Sequence, residues 1–109
     1  MAPSKLAKQT RKDARRDAAA AYQLSMWYST GEEGLSRDLE LSLKWEWEAA
    51  ERGCADAQYM LGVGFYHGSE GFQVDHAIAL AWYQKAAIQG RSFIHKFHSH
   101  QHNWSTLEG

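Results

Sequence analysis

A repeat of 37 residues constrains this chain more than any other feature. Residues 18–53 align without a gap on residues 55–90, at a constant interval of 37. A fixed period of this length is typical of stacked supersecondary units, each of which buries its apolar face against the next. We therefore predict two consecutive units of one fold. Identical residues at this interval include Leu24 and Leu61, Gly31 and Gly68, Asp38 and Asp75, Trp45 and Trp82, and Gly53 and Gly90.

Glycine and aspartate residues mark the ends of two helices within each unit. In the second unit, Gly68 and Gly71 can take the positive φ angles that end one helix and turn the chain into another. Asp75 follows at the position of a helix N-cap, where its carboxylate can accept from the first free N–H groups. The first unit carries the same residues 37 positions earlier. The spacing predicts helices over Ala18–Thr30, Asp38–Arg52, Ala55–His67 and Asp75–Gln89.

The second unit carries a detailed pattern of residues. It reads A-x-A-Q-Y-x-L-G from Ala55 and A-x-x-W-Y-x-K-A-A-x-Q-G from Ala79. This pattern resembles the Sel-one-like repeat, a relative of the tetratricopeptide repeat. The first unit departs from it, since Ser25 replaces a glycine, Glu46 an aromatic residue and Ser42 an alanine. The resemblance implies an all-α fold, a short α-solenoid of two helix-turn-helix repeats with flanking terminal helices, that acts as a scaffold or adaptor for other proteins.

Four segments follow from this organisation. We predict a basic N-terminal extension over residues 1–17, a degenerate first repeat over 18–53, a second repeat over 55–90, and a His-rich capping helix or divergent tail over 91–109. The extension holds six of the twelve basic residues of the chain. The favoured interpretation is a solvated helix that leads into the first repeat. A targeting or localisation signal, or a contact with an anionic partner, stays open.

Composition limits the classes of partner and activity. The net charge is −1, so no overall field attracts nucleic acid or an anionic membrane, and no apolar run is long enough to cross a bilayer. The single cysteine, Cys54, cannot form an internal disulfide. No catalytic or phosphate-binding motif is present. We expect a non-enzyme without a cofactor, with a protein partner but no nucleic-acid or membrane partner, in the cytoplasm or alternatively in the nucleus.

The first helix of each unit has a face that does not carry the repeat pattern. If this helix lines the concave surface of the solenoid, as the resemblance implies, its outward residues form an apolar patch for a peptide or a partner helix. The alternative is that the same residues belong to the core. Trp45 and Trp82 are predicted to be structural, and Trp47 is the better surface candidate. The predicted partner-binding residues are Gln23, Met26, Trp27, Thr30, Met60, Val63 and His67.

The C-terminal segment supports two alternative hypotheses. His98 and His102 are four residues apart, and His95 lies one turn earlier, so a helix would bring all three to one side. Such a cluster could bind Zn²⁺ or Cu²⁺ and make the chain a metal-responsive element, although no cysteine or carboxylate is nearby except the distant Glu108. The main expectation is that no metal is bound. The second alternative is a structural fragment of a longer solenoid, or a homo-oligomer formed through the exposed edge of a repeat.

Overall fold

The computed structural model describes residues 2–89, and within this range all regular structure is α-helical. The all-α prediction is therefore confirmed. The four repeat helices agree with the predicted spans to within one residue at each end. Gly90 and the predicted capping segment 91–109 lie outside the described residues. The helices are α1 (Lys5–Asp13), α2 (Ala18–Thr30), α3 (Leu39–Glu51), α4 (Ala55–His67) and α5 (His76–Ile88).

The helix ends use the residues that the repeat pattern marks. Asp38 and Asp75 cap α3 and α5, and each carboxylate accepts from the backbone N–H three residues later, at 3.1 and 3.0 Å. Gly31 and Gly68 end α2 and α4 in the left-handed conformation, with φ of 78° and 69°. An L side chain is disfavoured at such angles, which explains the glycine at both positions. The two units thus begin and end their helices by the same local chemistry.

The two units also close their hairpins in the same way. The N–H of Asp38 donates to the carbonyl of Tyr28, and that of Asp75 donates to the carbonyl of Phe65, both at 2.8 Å. Leu24 in α2 is fully buried, as is its counterpart Leu61 in α4. These shared contacts show that the sequence repeat is a structural repeat of two helix-loop-helix units.

Aromatic side chains join one unit to the next. The ring of Trp47 packs edge-on against Phe65 at 6.1 Å and against Trp82 at 5.5 Å, between ring centroids. The prediction that Trp47 is a surface residue was therefore wrong, because the second unit covers it. Trp45 and Trp82 are partly buried against the core, in line with their predicted structural role.

Helix α1 packs on the first unit through its small residues. The hydroxyl of Ser4 caps α1 and donates to the carboxylate of Glu33 at 2.7 Å, while the Arg11 guanidinium donates to the Tyr28 hydroxyl at 3.3 Å. The basic side chains lie mainly on the outer side of this helix. The favoured interpretation of a solvated extension needs correction, because one face of α1 is part of the core. The buried residues of this segment are Ala7, Thr10 and Ala14.

The far edge of the second unit is open within the described residues. Leu43 in α3 is half-buried, and a Cβ placed on Gly71 in the next unit would lie 2.5 Å from its Cδ1 atom. Its counterpart in α5, Leu80, is exposed, and Ile88 at the end of α5 is 84% exposed. The face that α3 uses to contact the second unit is therefore repeated on α5 without a covering element in residues 2–89.

Candidate functional site

An apolar groove opens between α2 and α4, the first helices of the two units. Its volume is about 300 Å³. Met26 on one side and Met60 on the other are 45% and 38% exposed, although both are large apolar residues. Helix α3 and the loop after α4 complete the walls. The residues that matter most for its chemistry are Met26 and Ser29 from α2, Glu46 from α3, Met60 and Val63 from α4, and Phe72 from the loop.

At the equivalent positions of α4 and α5 in the second unit, three tyrosine rings lie close together. Tyr83 lies 5.4 Å from Tyr59 and 6.5 Å from Tyr66, measured between ring centroids. A Cβ on Gly62 would lie 2.7 Å from the Tyr83 ring, so the close approach of this ring to α4 requires glycine there. Partial burial raises the pKa of the Tyr83 hydroxyl, and repulsion from Tyr59 and Tyr66 adds to the rise. Tyr59, Tyr66 and Tyr83 thus form one ring cluster on α4 and α5.

In the first unit some of these residues are replaced. Glu46 stands at the position of Tyr83, Ser25 at that of Gly62, and Ser29 at that of Tyr66. Two aromatic rings are thereby lost, while the backbone of the unit is kept. The Ser25 hydroxyl donates to the carbonyl of Tyr22 at 2.6 Å, and the Ser29 hydroxyl to that of Met26 at 2.8 Å. Both hydroxyls are therefore satisfied inside α2, and the groove is lined by the residues that stand at the positions of these rings.

Glu46 is the chemically distinctive residue of the groove. Burial raises its pKa from the ordinary 4.5 to about 7, because a charged carboxylate loses hydration among apolar neighbours. Within residues 2–89, no hydrogen bond or ion pair holds this carboxylate. The other acidic residue on the walls, Glu70, is exposed at the rim and lies 4.0 Å from Arg37. No lysine, arginine or histidine is among the described residues that line the groove.

The structure brings together three of the predicted partner-binding residues. Met26, Met60 and Val63 line the groove. Trp27 does not, because it is only 8% exposed and belongs to the core. It lies three residues after the buried Leu24, so the helical spacing places it on the inner face of α2. The prediction that Trp27 binds a partner is therefore corrected, and for this residue the alternative of a core position holds.

The other three predicted residues lie outside the groove lining. Gln23 is half-buried on α2, and Thr30 is exposed at the end of that helix. The Thr30 hydroxyl donates to the Glu32 carboxylate at 2.8 Å. His67 is exposed at the end of α4, where its ring lies 5.0 Å from that of Tyr66. These three side chains belong to α2 and α4 but do not line the groove between them.

Metal and membrane sites have no counterpart in the described part of the chain. In residues 2–89, no three histidine, cysteine, aspartate or glutamate side chains are grouped in a way that could hold a metal ion. The candidate ligands His95, His98 and His102 lie outside the described residues. None of the five described helices combines the length and the apolar character that are needed to cross a bilayer.

Sequence reasoning missed several residues that line the groove, above all Glu46, Ser29 and Phe72. Glu46 was recognised as a departure from the repeat pattern, but not as part of a site. The available signal was volume. At two positions of the first unit, Ser29 and Glu46 replace the tyrosines that pack together in the second, so a space between helices was to be expected.

Comparisons with known proteins agree with the repeat architecture. The Sel1 repeat matches residues 18–54 and 55–90. The fold is similar to the crystal structure of a Sel1 repeat protein from Oxalobacter formigenes, with 31% identity, a TM-score of 0.73, and coverage of 76% of this chain and 62% of that one. It is also similar to c5321, a protective antigen present in uropathogenic Escherichia coli strains that displays an SLR fold, with 35% identity and a TM-score of 0.68.

The chain spans less than two thirds of either solved protein. For c5321 the match covers 77% of this chain and 18% of the antigen. No curated protein gives a significant match. The similarity therefore concerns the repeat units themselves.

Proposed function

Because the chain belongs to the Sel1 repeat family, whose members are generally scaffolds for protein–protein interactions, we propose that it binds a protein partner in the groove between its two units. The partner is a peptide or a helix that places an anchor side chain between Met26 and Met60. The observation that carries this proposal is an apolar groove, open at the surface, where the first unit has Ser29 and Glu46 in place of Tyr66 and Tyr83.

The groove has the size and the lining of a side-chain pocket. Its volume of about 300 Å³ lies at the lower end of the range for binding pockets, about 300–1,000 Å³. A pocket of this size suits an anchor side chain rather than the whole width of a helix. Methionine side chains on both walls can adjust to the shape of an inserted group, because they are unbranched and polarizable. Anchors in such desolvated pockets supply most of the free energy of binding at protein interfaces.

The second unit supplies the variant that tests this proposal. Ser25→Gly combined with Glu46→Tyr copies the Gly62 and Tyr83 pair into the first unit and should fill the groove with a ring. We expect this filled variant to keep its helicity, measured by circular dichroism, and to lose binding to peptides selected from a random library against the unmodified chain. Ile88→Ala, which removes an exposed apolar side chain far along the chain, is the matched control and should bind normally. Equal binding by the filled variant would refute the groove as the binding site.

A further inference from the structure

The groove contains a charge as well as apolar walls, and this charge specifies the chemistry of the partner. We propose that the anchor is a lysine or arginine side chain, flanked by apolar residues, whose cationic group pairs with the Glu46 carboxylate. This inference rests on the proposed function, since it takes the groove as the place where a partner binds. It adds which class of partner segment the groove selects.

Charge complementarity is the first argument. The groove walls carry two carboxylates, those of Glu46 and Glu70. No cationic side chain is among the described lining residues. Glu70 is exposed and has Arg37 nearby. Glu46 is half-buried, and no side chain or backbone group in residues 2–89 forms a hydrogen bond or ion pair with it. A partly buried carboxylate without a hydrogen bond or counter-ion is unfavourable, and a cationic ligand removes this penalty when it binds. Glu46 is therefore the group that a basic side chain would neutralise.

The walls suit the stem of such a side chain. Lysine and arginine carry three or four methylene groups before their charge, and these stems pack well along apolar surfaces. Met26 and Met60 provide such surfaces on opposite sides of the groove. The ring of Phe72 lines the same groove, and an arginine guanidinium can stack on an aromatic face. Residues beside the basic anchor would contact the exposed parts of the two methionines, which explains the expected apolar flanks.

A tyrosine anchor is the strongest competitor, because Tyr83 stands at the position of Glu46 in the second unit. Its hydroxyl could donate to Glu46, but it would leave the negative charge uncompensated. An apolar anchor would leave the carboxylate without any partner. An apolar anchor therefore predicts that Glu46→Gln does not weaken binding. A tyrosine anchor predicts only a small loss, because the glutamine carbonyl still accepts from the hydroxyl, whereas a basic anchor predicts a large loss.

The pairing should also depend on pH. Glu46 binds a cation only when ionised, and its pKa of about 7 means that affinity should fall as the pH is lowered from 8 to 6. The other titratable groups on the walls are Tyr22 from α2 and Glu70 from the loop after α4, while the described lining residues of α4 include none. Glu70→Gln separates the contribution of the rim from that of Glu46.

The test is a selection from a random peptide library with the unmodified chain, followed by calorimetric titration of a selected peptide. We expect peptides with one lysine or arginine between apolar residues. Glu46→Gln should weaken such a peptide about 30-fold or more, as expected when one partner of a buried charge pair is neutralised. Glu70→Gln, the control at the exposed rim, should weaken it about fivefold or less.

The outcomes separate the two proposals. Selected peptides that lack a basic residue, bind only the unfilled groove and tolerate Glu46→Gln would overturn the basic anchor and leave the proposed function standing. Peptides that bind the filled variant equally well, or a selection without any binder, would overturn both. Self-association seen by sedimentation that the filled variant abolishes would assign the groove to a second copy of the chain, and would also overturn the basic anchor on another protein.

Discussion

Neutralising Glu46 should stabilise this protein at neutral and higher pH. In Glu46→Gln the side chain keeps its size but cannot ionise. Burial raises the pKa of the wild-type carboxyl to about 7 in the folded chain, against 4.5 as its ordinary value. The folded state therefore holds the proton more tightly than the unfolded state. This contribution to stability is fully present below pH 4.5 and is lost as the pH rises through 7.

The size of the effect follows from the two pKa values. One pKa unit corresponds to 1.36 kcal/mol, so the difference between 4.5 and about 7 corresponds to about 3 kcal/mol when the carboxyl is fully ionised. The side chain is only half-buried, and solvent screens part of this penalty, so we expect about 2 kcal/mol. Glu46→Gln should be more stable than the wild type by this amount near pH 8 and nearly equal to it near pH 4.

Urea unfolding followed by circular dichroism across this pH range measures the difference. Other ionisable groups are present in both proteins. The quantity of interest is therefore the free energy of unfolding of the variant minus that of the wild type at each pH. Glu51→Gln, at an exposed position of the same helix, is the matched control. Its difference in stability from the wild type should not increase between acid and neutral pH. A difference between Glu46→Gln and the wild type that stays constant with pH would refute the argument that Glu46 is a buried, unpaired acid.

Two further substitutions test the packing that surrounds the groove. Trp47→Ala should lower the free energy of unfolding by about 3 kcal/mol, because its ring packs at the junction of the two units. Val74→Ala, at an exposed position, is the control and should change it by less than about 0.5 kcal/mol. Equal effects of the two substitutions in urea unfolding would contradict the packing of Trp47 at this junction. Gly62→Ala should cost about 1–3 kcal/mol by overpacking an aromatic ring, and Ser25→Ala at the equivalent site of the first unit should cost less. A stabilised Gly62→Ala protein in thermal unfolding would show that helix propensity outweighs the clash.

The helices could be predicted from the sequence because their boundaries depend on local chemistry. Asp38 and Asp75 can cap a helix, and Gly31 and Gly68 can end one, whatever the rest of the chain does. The period of 37 residues then indicated that the two units share one fold. Capping and chain reversal involve only a few neighbouring residues, so a single sequence contains the information that they need.

The site depended on contacts between helices that are distant in sequence, and here the prediction was partial. A helical wheel separates faces but does not show which neighbour covers them. Trp27 was assigned to the open face, although it continues the buried stripe of α2, and Trp47 was expected at the surface, although the second unit covers it. Met26, Met60 and Val63 line one groove, and their role in partner binding stays a prediction. Glu46 lies on a different helix, and only the packing of α3 brings it to the same groove.

The difference between the two units reduces to a short diagnostic in the linear sequence. The tyrosine that packs on α4 in the second unit is residue 83, and the glycine that makes room for its ring is residue 62. The first unit has glutamate and serine at the equivalent residues 46 and 25, with the same interval of 21 residues. In a tandem array with this geometry, these two positions, together with the position of Ser29 and Tyr66, therefore indicate whether a unit carries the ring cluster. Substitutions at these positions could therefore open or close the pocket of one unit at a time, while the helices of the scaffold stay in place.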